Sequence, residues 1–102
     1  MSAVARSQVE FHPATRREIK VACAWYRERS LSAEDGFLAE LQHAVEQVAL
    51  APLRWPLYKT EIRRYVFNRY PFSLFYRASD DKVRVLAVAH DKKRAGYWIG
   101  RR

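Results

Sequence analysis

Cysteine occurs once in this 102-residue chain, at Cys23. That excludes a disulfide framework and a multi-cysteine metal site, and it suits a reducing compartment. There are only three glycines, none in a motif, so no glycine-rich phosphate loop can be built. The three histidines, His12, His43 and His90, form no HxH or HxxxH pair, and metal catalysis is not expected. The Gly-x-Ser-x-Gly elbow of serine hydrolases is missing. No segment approaches the roughly 18 consecutive apolar residues of a membrane span, and "MSAVARSQVE" has no apolar run long enough for a signal peptide. These absences lead to the expectation of a soluble, cytoplasmic protein with no metal, no cofactor and no membrane partner.

What is present is a folding chain. Hydrophobic residues make up 49% and aromatics 14%, well above the composition of disordered segments. The length allows one domain, residues 1–102, with a core that needs no staple. Net charge is +8, and it is distributed unevenly. Residues 1–51 hold six Lys/Arg and seven Asp/Glu, whereas residues 52–102 hold thirteen and four. An excess confined to one half points to a polyanionic partner, either nucleic acid or an acidic protein segment. A generally basic, solubilising surface is the plainer alternative.

Periodicity gives the element order. "SQVEF" (7–11) reads as a short strand with Val9 and Phe11 on one face. Pro13 opens an amphipathic helix of about 16 residues, with Ile19, Ala22, Cys23 and Tyr26 at helical spacing. A second helix carries the stripe Phe37, Leu38, Leu41, Ala44, Val45 and Val48. Ser32 and Asp35 resemble a capping box at its start, and Pro52 stops it. The short join predicts an antiparallel helical hairpin. "LRWPLYKTE" reads as an irregular connection. The period then falls to two: "IRRYVF" (62–67), "FSLFYRA" (72–78) and "VRVLAVAH" (83–90) are consecutive antiparallel strands. The order β-α-α-β-β-β makes an α+β domain, a helical hairpin packed on an antiparallel sheet. In the last strand Val83, Val85, Ala87 and Ala89 are expected to face the helices, with Arg84, Leu86, Val88 and His90 opposite.

Candidate chemistry lies in the basic half. Lys59, Arg63, Arg64, Arg69, Arg77, Arg84, Lys92, Lys93 and Arg94 are interleaved with Tyr65, Tyr70, Phe75, Tyr97 and Trp98. Arginine binds phosphate in forked pairs and aromatic faces stack on unpaired bases. Basic residues with a proton carrier also suffice to cut RNA. His90, at a strand end, is the candidate proton carrier, since imidazole ordinarily titrates near neutrality. A strand-end histidine that only caps the sheet is the competing reading, and Tyr97 and Trp98 are equally suited to folding back over it. Cys23 reads as a packed core thiol, His43 as a surface residue and His12 as a helix starter. The segment 90–102, "HDKKRAGYWIGRR", is expected to join the folded surface through Trp98, with Gly100 to Arg102 loose.

"EFHPATRREIKVACAWYRERS", "GFLAELQHAVEQV", "RWP", "RRYVFNRYPFSLFYR" and "VRVLAVAHDKKRAGYW", in that order, resemble the RelE/ParE superfamily of toxins. These are the toxin halves of bacterial type II toxin–antitoxin pairs, also described as plasmid stabilisation proteins. The resemblance spans about residues 9–98 and implies the fold just read. It further implies growth inhibition and a cognate antitoxin whose acidic and apolar segment wraps the toxin. Two activities are implied by the two branches. RelE-like members cleave mRNA on the ribosome; on that pattern Arg64, His90, Arg94 and Tyr97 are the catalytic set, with Lys92 an alternative to Arg94, and Ser73 stands where that branch has an arginine. ParE-like members poison DNA gyrase without being enzymes of this kind, and "RYPFSLFYR" and "VLAVAHDKKR" look more like that branch. On either pattern the surface meeting target or antitoxin is expected to include Lys59, Arg64, Arg77, Arg84, Lys92, Lys93, Arg94, Tyr97 and Trp98. A basic binding module without toxicity is the third possibility.

Overall fold

The computed structural model describes residues 6–102. Its elements are β1 (Gln8–Phe11), α1 (Pro13–Arg27), α2 (Leu31–Leu50), β2 (Leu57–Lys59), β3 (Ile62–Val66), β4 (Phe72–Ser79) and β5 (Lys82–His90). The α+β order expected from periodicity holds. One three-residue strand, β2, is added inside the connection read as irregular. It pairs with β3, and the Arg63 guanidinium fixes the chain before it by donating to the carbonyls of Leu53 (3.3 Å) and Trp55 (2.7 Å). The sheet order is β1-β5-β4-β3-β2, antiparallel except where β1 runs parallel to β5.

Local signals explain the helix starts. His12 caps α1: its Nδ1 accepts from the Ala14 amide at 3.1 Å, and Pro13 follows at the first helical position. For α2 the cap is Ser30, not Ser32: Ser30 Oγ accepts from the Ala33 amide at 3.0 Å. Arg27 and Glu34 close the corner beside it with a forked ion pair at 2.7 Å.

Both helices cover one face of the sheet. Phe37, Ala44, Val48, Leu74, Tyr76, Val83 and Val85 are completely buried there, with Cys23 among them at 7% exposure. Burial raises the Cys23 thiol pKa, which keeps it an inert core residue. His43 is exposed.

The face assignment of β5 needs correcting. Phe75 pairs with Ala87 and Tyr76 with Val85, so Leu86 is an extra residue, a β-bulge. Strict alternation therefore breaks at Leu86. Val83, Val85 and Val88 face the helices, while Leu86, Ala87 and Ala89 turn to the outer face. There they form a second small core with Ile62, Phe75 and Trp98.

Trp98 builds that second core. It is 1% exposed and stacks on Phe75 with ring centroids 4.1 Å apart; Tyr58 of β2 closes the other side at 5.7 Å. The residues after it are not loose. Arg101 Nη1 donates to Glu18 Oε2 (2.9 Å) and to the Leu86 carbonyl (3.1 Å), and Arg84 Nη2 donates to the Arg102 carbonyl (3.1 Å). The cause lies in the sheet. β1 ends at Phe11, opposite Val85, because Pro13 starts α1, so the upper half of β5 has no neighbouring strand on that side. Its edge groups need other partners. Arg101 supplies one, and Glu18 of α1 the other by accepting from the Val88 amide at 3.1 Å.

Candidate functional site

The outer face holds a small polar cleft of about 180 Å³ beside the Trp98 core. Arg64, projecting from β3, donates Nε–H to Ser73 Oγ (3.0 Å), and its Nη2 reaches Asp91 Oδ1 (3.4 Å). Ser73 Oγ donates to the same carboxylate oxygen at 2.8 Å. Ser73 is fully buried. So the strand position that is arginine in the RelE-like pattern holds a hydroxyl that presents a carboxylate to Arg64. The guanidinium is neutralised within the chain. Arg77 does not reach this cleft. It lies four residues further along β4, about 13 Å away at a strand's rise, where it pairs with Arg84.

The other candidates for cleavage, His90, Arg94 and Tyr97, line the same cleft, but the His90 ring and the Tyr97 hydroxyl are engaged elsewhere. The bulge at Leu86 places His90 opposite Phe72, on the helix side of the sheet; its ring lies 5.1 Å from Phe72, and its Nδ1 accepts from the Lys92 amide at 3.0 Å. The Tyr97 hydroxyl donates to Glu18. Burial and that carboxylate push the phenol far above its ordinary pKa, so it stays protonated. Lys92, Lys93 and Arg94 lie exposed in the turn after β5, with Lys93 Nζ 5.1 Å from the Tyr97 ring.

The aromatics of the basic half are likewise committed to packing. Tyr65 belongs to the helix-side core and Tyr70 packs against it, while Phe75 and Trp98 form the outer core. Trp98 is thereby removed from the side chains a partner can touch. The outer face is a patchwork of separate cations, and Tyr58, which packs on Phe75 and Trp98, is its exposed aromatic.

A larger concavity is lined by three residues that the sequence singles out, His90, Lys93 and Tyr97. A groove of about 1080 Å³ runs between α1, the upper half of β5 and the C-terminal segment. Its floor is Ala22, Tyr26, Phe72 and Val88. Val21 and Trp25 of α1 line it and are 65% and 50% exposed. The Arg29 guanidinium stacks on Trp25, 3.3 Å from the ring centroid. Arg17, Lys93, Arg101, His12 and His90 contribute to the lining. The one carboxylate among the lining residues, Glu18, already accepts from Val88, Tyr97 and Arg101. The groove is thus apolar inside and basic around. One signal was legible: Val21 and Trp25 stand four residues apart, a second apolar stripe outside the Ala22–Cys23–Tyr26 face.

Among the described residues no helix is long and apolar enough to cross a membrane, and no group of three potential metal ligands occurs. No curated protein matches the sequence. Among solved structures the chain is similar to a protein of the chromosomal ParDE toxin–antitoxin system of P. aeruginosa. Identity is 13%, coverage is 83% of this chain and 96% of that one, and the TM-score is 0.67, a likeness of fold. The family model described as the ParE toxin of the type II toxin–antitoxin system parDE matches residues 9–95. The chain, with its helical hairpin on a five-stranded sheet and its basic second half, belongs to the ParE toxin family of type II toxin–antitoxin systems.

Proposed function

We propose that this toxin arrests growth by docking on DNA gyrase rather than by cutting RNA, and that a cognate antitoxin neutralises it in the cytoplasm. The observation that carries the reading is how the cleavage candidates around the outer cleft are engaged within the chain. Arg64 is tied to Asp91 through Ser73, the His90 ring packs on Phe72 with its Nδ1 accepting from the Lys92 amide, and the Tyr97 hydroxyl is held by Glu18. A phosphate entering the outer cleft would meet the Asp91 carboxylate beside Arg64, which repels it. The exposed cations Lys92, Lys93 and Arg94, with Lys59, then act as docking contacts.

The groove on α1 supports the antitoxin half of the proposal. Its apolar floor and surplus of cations suit an amphipathic acidic segment laid along it, as helix-in-groove complexes use. Val21 and Trp25 would be its anchors.

A pulse-label time course after expression without antitoxin tests the activity. DNA synthesis is expected to fail first, with a DNA-damage response. Protein synthesis stopping first would overturn the reading in favour of ribosome-dependent mRNA cleavage, and no arrest at all would leave a basic binding module. The antitoxin site has its own test: V21E with W25E is expected to leave growth arrest intact and to abolish rescue by the antitoxin. Rescue that persists would place the antitoxin elsewhere.

A further inference from the structure

The Arg64 guanidinium is held rigidly at the outer cleft. Its Nε donates to Ser73 Oγ (3.0 Å), and the rings of Tyr58 and Phe75 flank its central carbon at 5.7 and 5.8 Å. The side chain is 35% exposed, so a molecule from solution can reach it. Lys93 and Arg94 line the same cleft and lie exposed. Three cations therefore line a space of about 180 Å³ against one carboxylate, Asp91.

Asp91 neutralises the charge of Arg64 without saturating its donors. Its Oδ1 stands 3.4 Å from Nη2, a single long contact, whereas the Arg27–Glu34 pair of the same chain is forked at 2.7 Å. Arg64 Nη1 makes no hydrogen bond among the described residues. The short bond of Asp91 is to Ser73 Oγ, at 2.8 Å, and Ser73 is completely buried in β4. The strand thus holds the carboxylate in front of the guanidinium. A carboxylate so held repels any second anion while leaving the Nη1 donors unfilled.

We propose that Asp91 is an autoinhibitory carboxylate, standing in the place of a phosphate in a latent site for single-stranded nucleic acid made by Arg64, Lys93 and Arg94. This role rests on the reading of the cleft as closed to RNA, and it assigns the closure to one residue. A nucleic-acid phosphate is favoured over a protein carboxylate for two reasons. Exposed cations continue on both sides of the cleft, Lys59 on β2 and Lys92 in the turn after β5, as successive phosphates require. Tyr58 lines the cleft beside Arg64 and is 41% exposed, so an unpaired base next to the bound phosphate has a ring to stack on. An acidic side chain uses neither.

Fluorescence polarisation of a labelled hexauridylate, titrated with the full chain at fixed salt, tests this. Asp91→Asn keeps an acceptor for Ser73 and should bind about tenfold tighter than the unsubstituted chain, the worth of one charge-assisted hydrogen bond. Asp91→Ala should gain similarly, so misfolding of one variant leaves the other to decide. Asp80→Asn makes the same change in net charge at the far end of β4, roughly 20 Å away, and should gain far less. Adding Arg64→Gln to Asp91→Asn should abolish the gain. No gain in either Asp91 variant, or an equal gain in Asp80→Asn, refutes the autoinhibition, and a gain that survives Arg64→Gln refutes the site. Displacement of the RNA by a hexaglutamate peptide as readily as by unlabelled hexauridylate overturns the choice of phosphate. The assay contains no gyrase, ribosome or antitoxin, so its failure is distinct from failure of the gyrase reading, which the pulse-label course decides.

Discussion

Replacing Glu18 with alanine should cost this toxin a large part of its stability. The carboxylate joins three elements. It accepts from the Val88 amide on the open edge of β5, from the Tyr97 hydroxyl and from Arg101, whose other bond caps the Leu86 carbonyl. The side chains of Glu18 and Arg101 are 11% and 19% exposed, so water replaces little of this. Removing one partner of a buried pair typically costs about 3–5 kcal/mol. The partial exposure of Arg101 argues for the lower end, about 3 kcal/mol, a fall in Tm of roughly 12–24 °C for a domain of this size. Glu18→Gln keeps an acceptor for Val88 and should lose about 1–2 kcal/mol; Tyr97→Phe removes one hydrogen bond, about 1 kcal/mol. Urea unfolding followed by circular dichroism measures all three, provided the m-value is unchanged. Hydrogen exchange at the Val88 amide should accelerate in Glu18→Ala. A loss below about 1 kcal/mol with Val88 still protected would refute the account: the C-terminal segment would then be held by the Trp98 core alone.

Three further outcomes are expected. Gly36→Ala should destabilise by about 1–3 kcal/mol through overpacking, despite alanine's better helix propensity, because the new Cβ would stand 2.3 Å from the Tyr70 hydroxyl that donates to Ala33 O; Tyr70→Phe in the same chain should recover part of the loss in a thermal melt. Trp98→Ala should cost about 3–5 kcal/mol and expose Phe75 to water, seen as increased binding of an apolar dye. Stability should fall as pH rises past about 10. Burial pushes the Tyr76 pKa up to about 12 and raises that of Tyr97 further, so the unfolded chain releases those protons first and gains from alkali. Denaturant midpoints between pH 9 and 12 test this, and a smaller decline in Tyr97→Phe assigns its share.

Much of the fold was written locally. Helix and strand periods, Pro13 and Pro52 at the helix ends, and the short turns between the last strands suffice for the element order apart from the three-residue β2, because each signal acts over a few residues. The one-sided charge was also legible, and it pointed correctly to a basic second half. Three things came only from tertiary structure. The bulge at Leu86 is invisible in an apolar run such as "VLAVA", where either face is satisfied, yet it decides that the His90 ring packs against Phe72. The tail's anchoring depends on Glu18, more than seventy residues earlier in the chain, meeting the edge left open where β1 ends. The cations of the basic half separate into an Arg64 tied to Asp91, an Arg84 paired with Glu10 and an exposed turn, because charge pairing is settled by which side chains the sheet brings within a few ångströms. Composition and period specify what a segment becomes; which residues then meet is a property of long-range register, which no local window contains.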